Sequence, residues 1–213
     1  MRFSRSCLDL LLLTAVAACA PANRAAAQSS NAAAQEASGL PPVGFGSLRQ
    51  DQVGVNLSTT NLRIRILPLE EEVIRLLSPD AYHSLHDMRE SRLMEIRAAA
   101  RAAGRDSVKA FMVTFFGLQP QTRFNPDDLL ITSQNSTYRP IGHIPITPRF
   151  NENQVDAREQ AAAIYLYEPG VVLLRPMTVA YGVAVSEAWA ATLNVLNAER
   201  NRVLSRASTQ IKP

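Results

Sequence analysis

Apolar and polar residues alternate through Gln52–Leu57 and again through Asn61–Ile66, a period of two that predicts two strands with one buried face each. Pro68 stops the second strand, and Leu69, Val73 and Leu76/Leu77 then follow a short helical spacing. Ser78-Pro79-Asp80 supplies an N-cap, a proline at the first helical position and an acid in the first turn, so a long helix is expected from about 78 to 104, ending at Gly104. Its apolar stripe is Tyr82, Leu85, Met88 (or Arg89), Leu93 and Ile96, and its other face carries Arg89, Glu90, Arg92, Glu95, Arg97 and Arg101. Solvation is the ordinary role of such a charged face; a partner-binding surface is the alternative.

Residues 108–184 read as the main β region. VKAFMVTFF (108–116) is strongly β-prone; DLLITS (128–133), AAAIYLY (161–167) and Met177–Ala184 follow, punctuated by a Gly-Leu-Gln-Pro-Gln loop and a polar Gln-Asn-Ser-Thr turn. Pro140, Pro145 and Pro148 assign the intervening segment to a sheet edge or an irregular loop. Ser186 is placed to cap a C-terminal helix over about 186–207, with Trp189, Leu193, Leu196 and Val203 on one stripe. The pattern therefore predicts an α+β fold: an antiparallel β-sandwich with a long inserted helix and a C-terminal helix, formed by a single domain over residues 43–213.

Ahead of this domain the pattern is different. Arg2 and Arg5 give a positive start and Leu10–Ala18 an apolar run, which is too short to cross a hydrocarbon core that needs roughly 20 helical residues. Val16-Ala17-Ala18-Cys19 resembles the lipobox of a bacterial lipoprotein signal; Asp9 beside the apolar run departs from it. The resemblance implies a signal peptide over residues 1–18, lipid attachment at Cys19 and cleavage before it. Ala20, where inner-membrane retention would place an aspartate, then implies the outer membrane. The other reading takes Ala25-Ala26-Ala27 as an A-x-A cleavage site and leaves no lipid. Cys7 and Cys19 are the two cysteines, so the folded domain has no disulfide on either reading. Residues 20–42, rich in Ala, Ser, Gln and Asn, read as a flexible tether.

Charge adds little. The chain has 22 Lys+Arg and 19 Asp+Glu, and loss of Arg2, Arg5 and Asp9 with the signal lowers the net charge of +3 by one. The charges are interspersed, which argues against a nucleic-acid partner.

The succession of VKAFMVTFF, Phe124–Ile131, Tyr138-Arg139-Pro140 and Ala161–Tyr167 resembles small immunoglobulin-like domains of exported bacterial proteins over residues 108–182. The two helices depart from that pattern. An immunoglobulin-like sandwich is what the resemblance implies; it implies no activity.

Candidate chemistry is sparse. His83 and His86 are three apart on the long helix, with Asp87 adjacent, and could turn two imidazoles toward one ion, but zinc sites use three or four ligands and the third histidine, His143, is distant in sequence. Glu70-Glu71-Glu72 and Asp127-Asp128 are acidic clusters; catalysis would need their pKa values pushed apart, whereas a helix start and a turn need only these residue types. Gly44-Phe45-Gly46 lacks the third glycine and the lysine of a nucleotide loop, and no G-x-S-x-G is present. The aromatic residues Phe111, Phe115, Phe116, Tyr165, Tyr167 and Tyr181 are assigned to the core, with a sugar-stacking platform as the alternative. No catalytic residue, metal or cofactor is therefore assigned. The expectation is a non-catalytic lipoprotein of the cell envelope, anchored in the membrane by its lipid, whose partner is an envelope protein or cell-wall polymer; the alternative is an envelope hydrolase using carboxylates or a histidine-bound metal.

Overall fold

A computed structural model describes residues 39–211. The expected signal peptide, the expected lipid-attachment site Cys19 and most of the expected tether lie outside them. The order is α1 (Gln50–Val53), β1 (Val55–Ser58), β2 (Leu62–Pro68), α2 (Glu71–Ile74), α3 (Pro79–Ser91), α4 (Leu93–Ala102), β3 (Lys109–Gly117), β4 (Thr122–Arg123), β5 (Leu129–Ser133), β6 (Ser136–Tyr138), β7 (Gly142–Pro145), β8 (Gln154–Val155), β9 (Gln160–Tyr167), β10 (Met177–Tyr181), β11 (Ala184–Ser186) and α5 (Trp189–Ile211). This is an α+β fold with antiparallel sheets and a long C-terminal helix.

The larger sheet has the strand order β1-β2-β3-β9-β7, a second has β11-β10-β5-β6, and β4 pairs with β8 in a small ribbon. Strands β3 and β9 form the middle of the first sheet: Phe111, Val113 and Phe115 lie opposite Tyr165, Ala163 and Ala161, so one face collects large and small apolar side chains in register. In the second sheet Leu129 and Ile131 pair with Tyr181 and Val179. Residues of the two sheets touch. Phe115 and Tyr181 are edge to face with centroids 5.7 Å apart, and the Tyr167 hydroxyl donates to the Leu129 carbonyl at 3.0 Å.

Proline placement explains the edges. β7 is an outer strand that ends on Pro145, where a missing N–H costs no ladder bond. The β5–β6 hairpin turns through Gln134 and Asn135, at φ 51° and 63°, in agreement with the polar turn expected there.

Near the start of the domain two expectations change. The helix expected over 78–104 is two helices, α3 and α4, because the Ser91 hydroxyl bonds the Met88 carbonyl at 2.7 Å and Arg92 leaves helical geometry at φ −107°, ψ 7°. Gln50–Val53 is a helical turn, and the first strand begins after Gly54.

The stripe of α5 is buried as expected: Trp189, Leu193, Leu196 and Val203 are all in the core, and the indole N–H donates to the Leu173 carbonyl at 2.9 Å. The helix begins at Trp189, three residues later than expected and without Ser186 as its cap, and runs past Ala207 to Ile211. Ser186 closes β11, and its hydroxyl accepts from the Ala188 N–H at 3.4 Å. Among the described residues no helix is long and apolar enough to cross a membrane.

Candidate functional site

The two helical histidines are separated by their environments. His83 is exposed, whereas His86 turns inward, where its Nδ1 lies 2.8 Å from Glu71 Oε1 and its ring stacks on Tyr82 with centroids 5.2 Å apart. Arg75 pairs with the other oxygen of Glu71, which the Tyr82 hydroxyl also approaches at 3.4 Å. Burial opposes ionisation of Glu71, but the hydrogen bonds from Arg75 and His86 outweigh it and hold the carboxyl below its usual value. This group joins α2 to α3. Asp87, exposed, is not part of it.

The acidic triplet is divided in the same way. Glu70 accepts the Ala110 N–H at 2.9 Å, Glu72 pairs with Lys109 at 3.1 Å, and Glu71 faces α3. Glu71 and Glu72 also occupy the first turn of α2, where a carboxylate is favourable. Among the described residues no three His, Cys, Asp or Glu side chains are grouped to hold a metal ion.

Asp127 and Asp128 form a turn in which the Asn125 side chain accepts from the Asp127 N–H at 3.2 Å and donates to Asp128 at 2.9 Å. That turn also carries Asp127 Oδ1 to 3.7 Å from His143 Nε2. The imidazole sits edge to face with Tyr165, centroids 4.4 Å apart, beside Phe150. Neither His143 Nε2 nor the buried Tyr165 hydroxyl has a hydrogen-bond partner among the described residues. Burial lowers the His143 pKa, against the pull of Asp127, and burial raises that of Tyr165 far beyond the usual phenol value. The imidazole is thus disposed to stay neutral, with one acidic group in front of it. The pairing of His143 with Asp127, 16 positions earlier, has no local sequence signal.

Glu199 is a further residue that the pattern passed over. It is fully buried, accepts from the Ser47 N–H at 2.9 Å and hydroxyl at 2.8 Å, and pairs with Arg206 at 2.9 Å and Arg202 at 3.3 Å. A signal was available: Glu199 lies three beyond Leu196 and four before Val203, a charge placed on the apolar stripe. Around it α5 holds the segment that enters the fold. Arg206 donates to the Phe45 carbonyl, and Arg200 to the Gly39 carbonyl at 2.6 Å. On the other side Arg75 donates to the Pro41 carbonyl at 3.3 Å. Gly39 and Pro41, part of the tether by composition, thereby touch the folded domain.

Compared with known proteins, the chain matches no protein family, no curated protein and no solved structure.

Proposed function

We propose that this chain is a lipid-anchored protein of the bacterial cell envelope, held at the outer membrane through Cys19, whose domain works by binding an envelope protein or cell-wall polymer. The observation that carries the reading is the sequence Val16-Ala17-Ala18-Cys19 after a charged start and a short apolar run. The grip of α5 on residues 39–47 supports it, because a chain leading to an anchor transmits force and orientation where it enters the fold. The engagement of Glu70, Glu71 and Glu72 in contacts of the fold also favours binding over carboxylate catalysis.

The finer reading of the fold is a sandwich of the two larger sheets, supported by the meeting of Phe115 with Tyr181 and of Tyr167 with Leu129. Its immunoglobulin-like character rests on the chain order of β3, β5, β6 and β9. A hydrolase reading has one observation in its favour, the closeness of His143 to Asp127.

The test is fractionation of cells producing the full chain with Cys19→Ser. The unsubstituted protein is expected in the outer-membrane fraction, labelled by radioactive palmitate, and the substituted one unlabelled and either released or unprocessed. A processed Cys19→Ser protein that still sediments with membranes overturns the anchor.

A further inference from the structure

Arg89, Leu93, Ile96, Arg97, Ala100 and Arg101 form one wall of a groove of about 590 Å³, closed on its other side by the segment leading into β3, with Asp106 and Val108. That volume lies within the range of small-ligand sites, about 300–1,000 Å³. The groove has two kinds of surface. Leu93, Ile96, Ala100 and Val108 place apolar side chains along it, Ile96 and Ala100 buried and Leu93 and Val108 half-buried, within a lining that is on balance polar; its rim is cationic, with Arg97 and Arg101 exposed one turn apart on α4.

The charge of the rim is not spent on the fold. Arg92 pairs with Glu95 and Arg105 with Glu168, and Arg89 reaches Glu90 at 3.3 Å. Among the described residues, Arg97 and Arg101 have no ion-pair partner, and Asp106 is the remaining acid of the groove. Two cations against one acid leave a single positive charge. Arg89 adds a second sign: its Nε is buried and has no acceptor among the described residues.

We propose that this groove binds a single-chain amphiphile with a singly charged anionic head, its carboxylate or phosphodiester held by Arg97 and Arg101 and its acyl chain lying over Leu93, Ile96 and Val108. Guanidinium forks suit such heads, because two parallel N–H donors meet two oxygens. The half-buried side chains of Leu93 and Val108 supply the apolar contact that the head alone lacks, in a groove of about 590 Å³. The proposal does not depend on the anchor at Cys19.

The probe is dodecanoate carrying a diazirine at its chain end, photolysed with the full-length protein in dodecyl maltoside, whose excess provides an uncharged amphiphile as competitor. Labelling is expected in the peptide spanning residues 89–108. Unlabelled dodecanoate and dodecanoyl lysophosphatidylglycerol should compete and acetate should not; the stronger of the two competitors assigns the head as carboxylate or phosphodiester. Arg97→Ala with Arg101→Ala should lower the labelling about tenfold or more, as expected for loss of charge-assisted bonds. Both positions are exposed on a helix, where alanine is well tolerated, so an unchanged melting temperature is expected. Arg101→Gln alone, with a smaller loss, is the second variant. Labelling spread over other surfaces, labelling undiminished in both variants, or competition by acetate equal to that by dodecanoate overturns the proposal.

Discussion

Glu199 receives both the backbone N–H and the hydroxyl of Ser47, 152 positions earlier in the chain, and so ties the C-terminal helix to the segment that enters the domain. Glu199→Ala removes the acceptor from both donors and from Arg206. A destabilisation of about 1–3 kcal/mol is expected from the unsatisfied groups, with little added by the ion pairs because their guanidiniums are substantially exposed. Hydrogen exchange should accelerate at residues 45–48 more than in β3 or β9. Equal protection of 45–48 in the variant and the parent would refute the clamp.

Trp189 is fully buried, with its indole N–H bound to the Leu173 carbonyl. Trp189→Ala should cost about 3–5 kcal/mol as a large-to-small core substitution, and Trp189→Phe less, about 1–3 kcal/mol for the orphaned carbonyl and lost volume. Blue-shifted tryptophan emission is expected from the parent. A water-like emission maximum with no loss of denaturation midpoint in Trp189→Ala would show that α5 is not docked.

His143 gives the domain a pH dependence of definite sign. Burial sets its folded pKa below the usual 6.5, so between the two values the unfolded chain binds more protons, and stability falls as pH drops through that window. Below the folded value the loss is complete. Glu71 and Glu199, whose pKa values are lowered, add losses only below about 4.5. Urea midpoints should therefore decline from pH 7.5 toward pH 5, and His143→Gln should flatten that decline. An unchanged slope in the variant would assign the effect to other groups.

Gly117 ends β3 where an added Cβ would run into the Asp156 carbonyl oxygen, a contact with backbone that cannot be turned aside. Gly117→Ala is expected to cost about 1–3 kcal/mol through forced displacement of the chain at Asp156. Gly104, at φ +66° with nothing near its missing side chain, should respond to alanine only through backbone strain. Comparison of the two denaturation midpoints, with the larger shift expected at Gly117, checks the assignment.

The groove arginines and the stripe of α5 show how differently two kinds of information are carried. Trp189, Leu193, Leu196 and Val203 are legible because burial imposes the helical period directly on the sequence, and β3 and β9 are legible because a strand buried on both faces must be a continuous apolar run. The break at Arg92 was not, since Ser91 diverts a carbonyl by one hydroxyl bond without disturbing the period.

The amino-acid sequence by itself determined the strands β2, β3, β5, β9 and β10, the buried stripe of the C-terminal helix and the absence of cysteine from the domain, and limited the segment around Pro140, Pro145 and Pro148 to a sheet edge or a loop, because propensity, period and proline chemistry act over a few residues at a time. Only the tertiary structure decided which polar groups meet. His86 faces Glu71 instead of His83, His143 faces Asp127, and Glu199 faces Ser47, since each pairing is made by chain segments that close 15, 16 and 152 residues apart. Their cause is the long-range packing of sheets and helices, which leaves no periodic trace in the sequence.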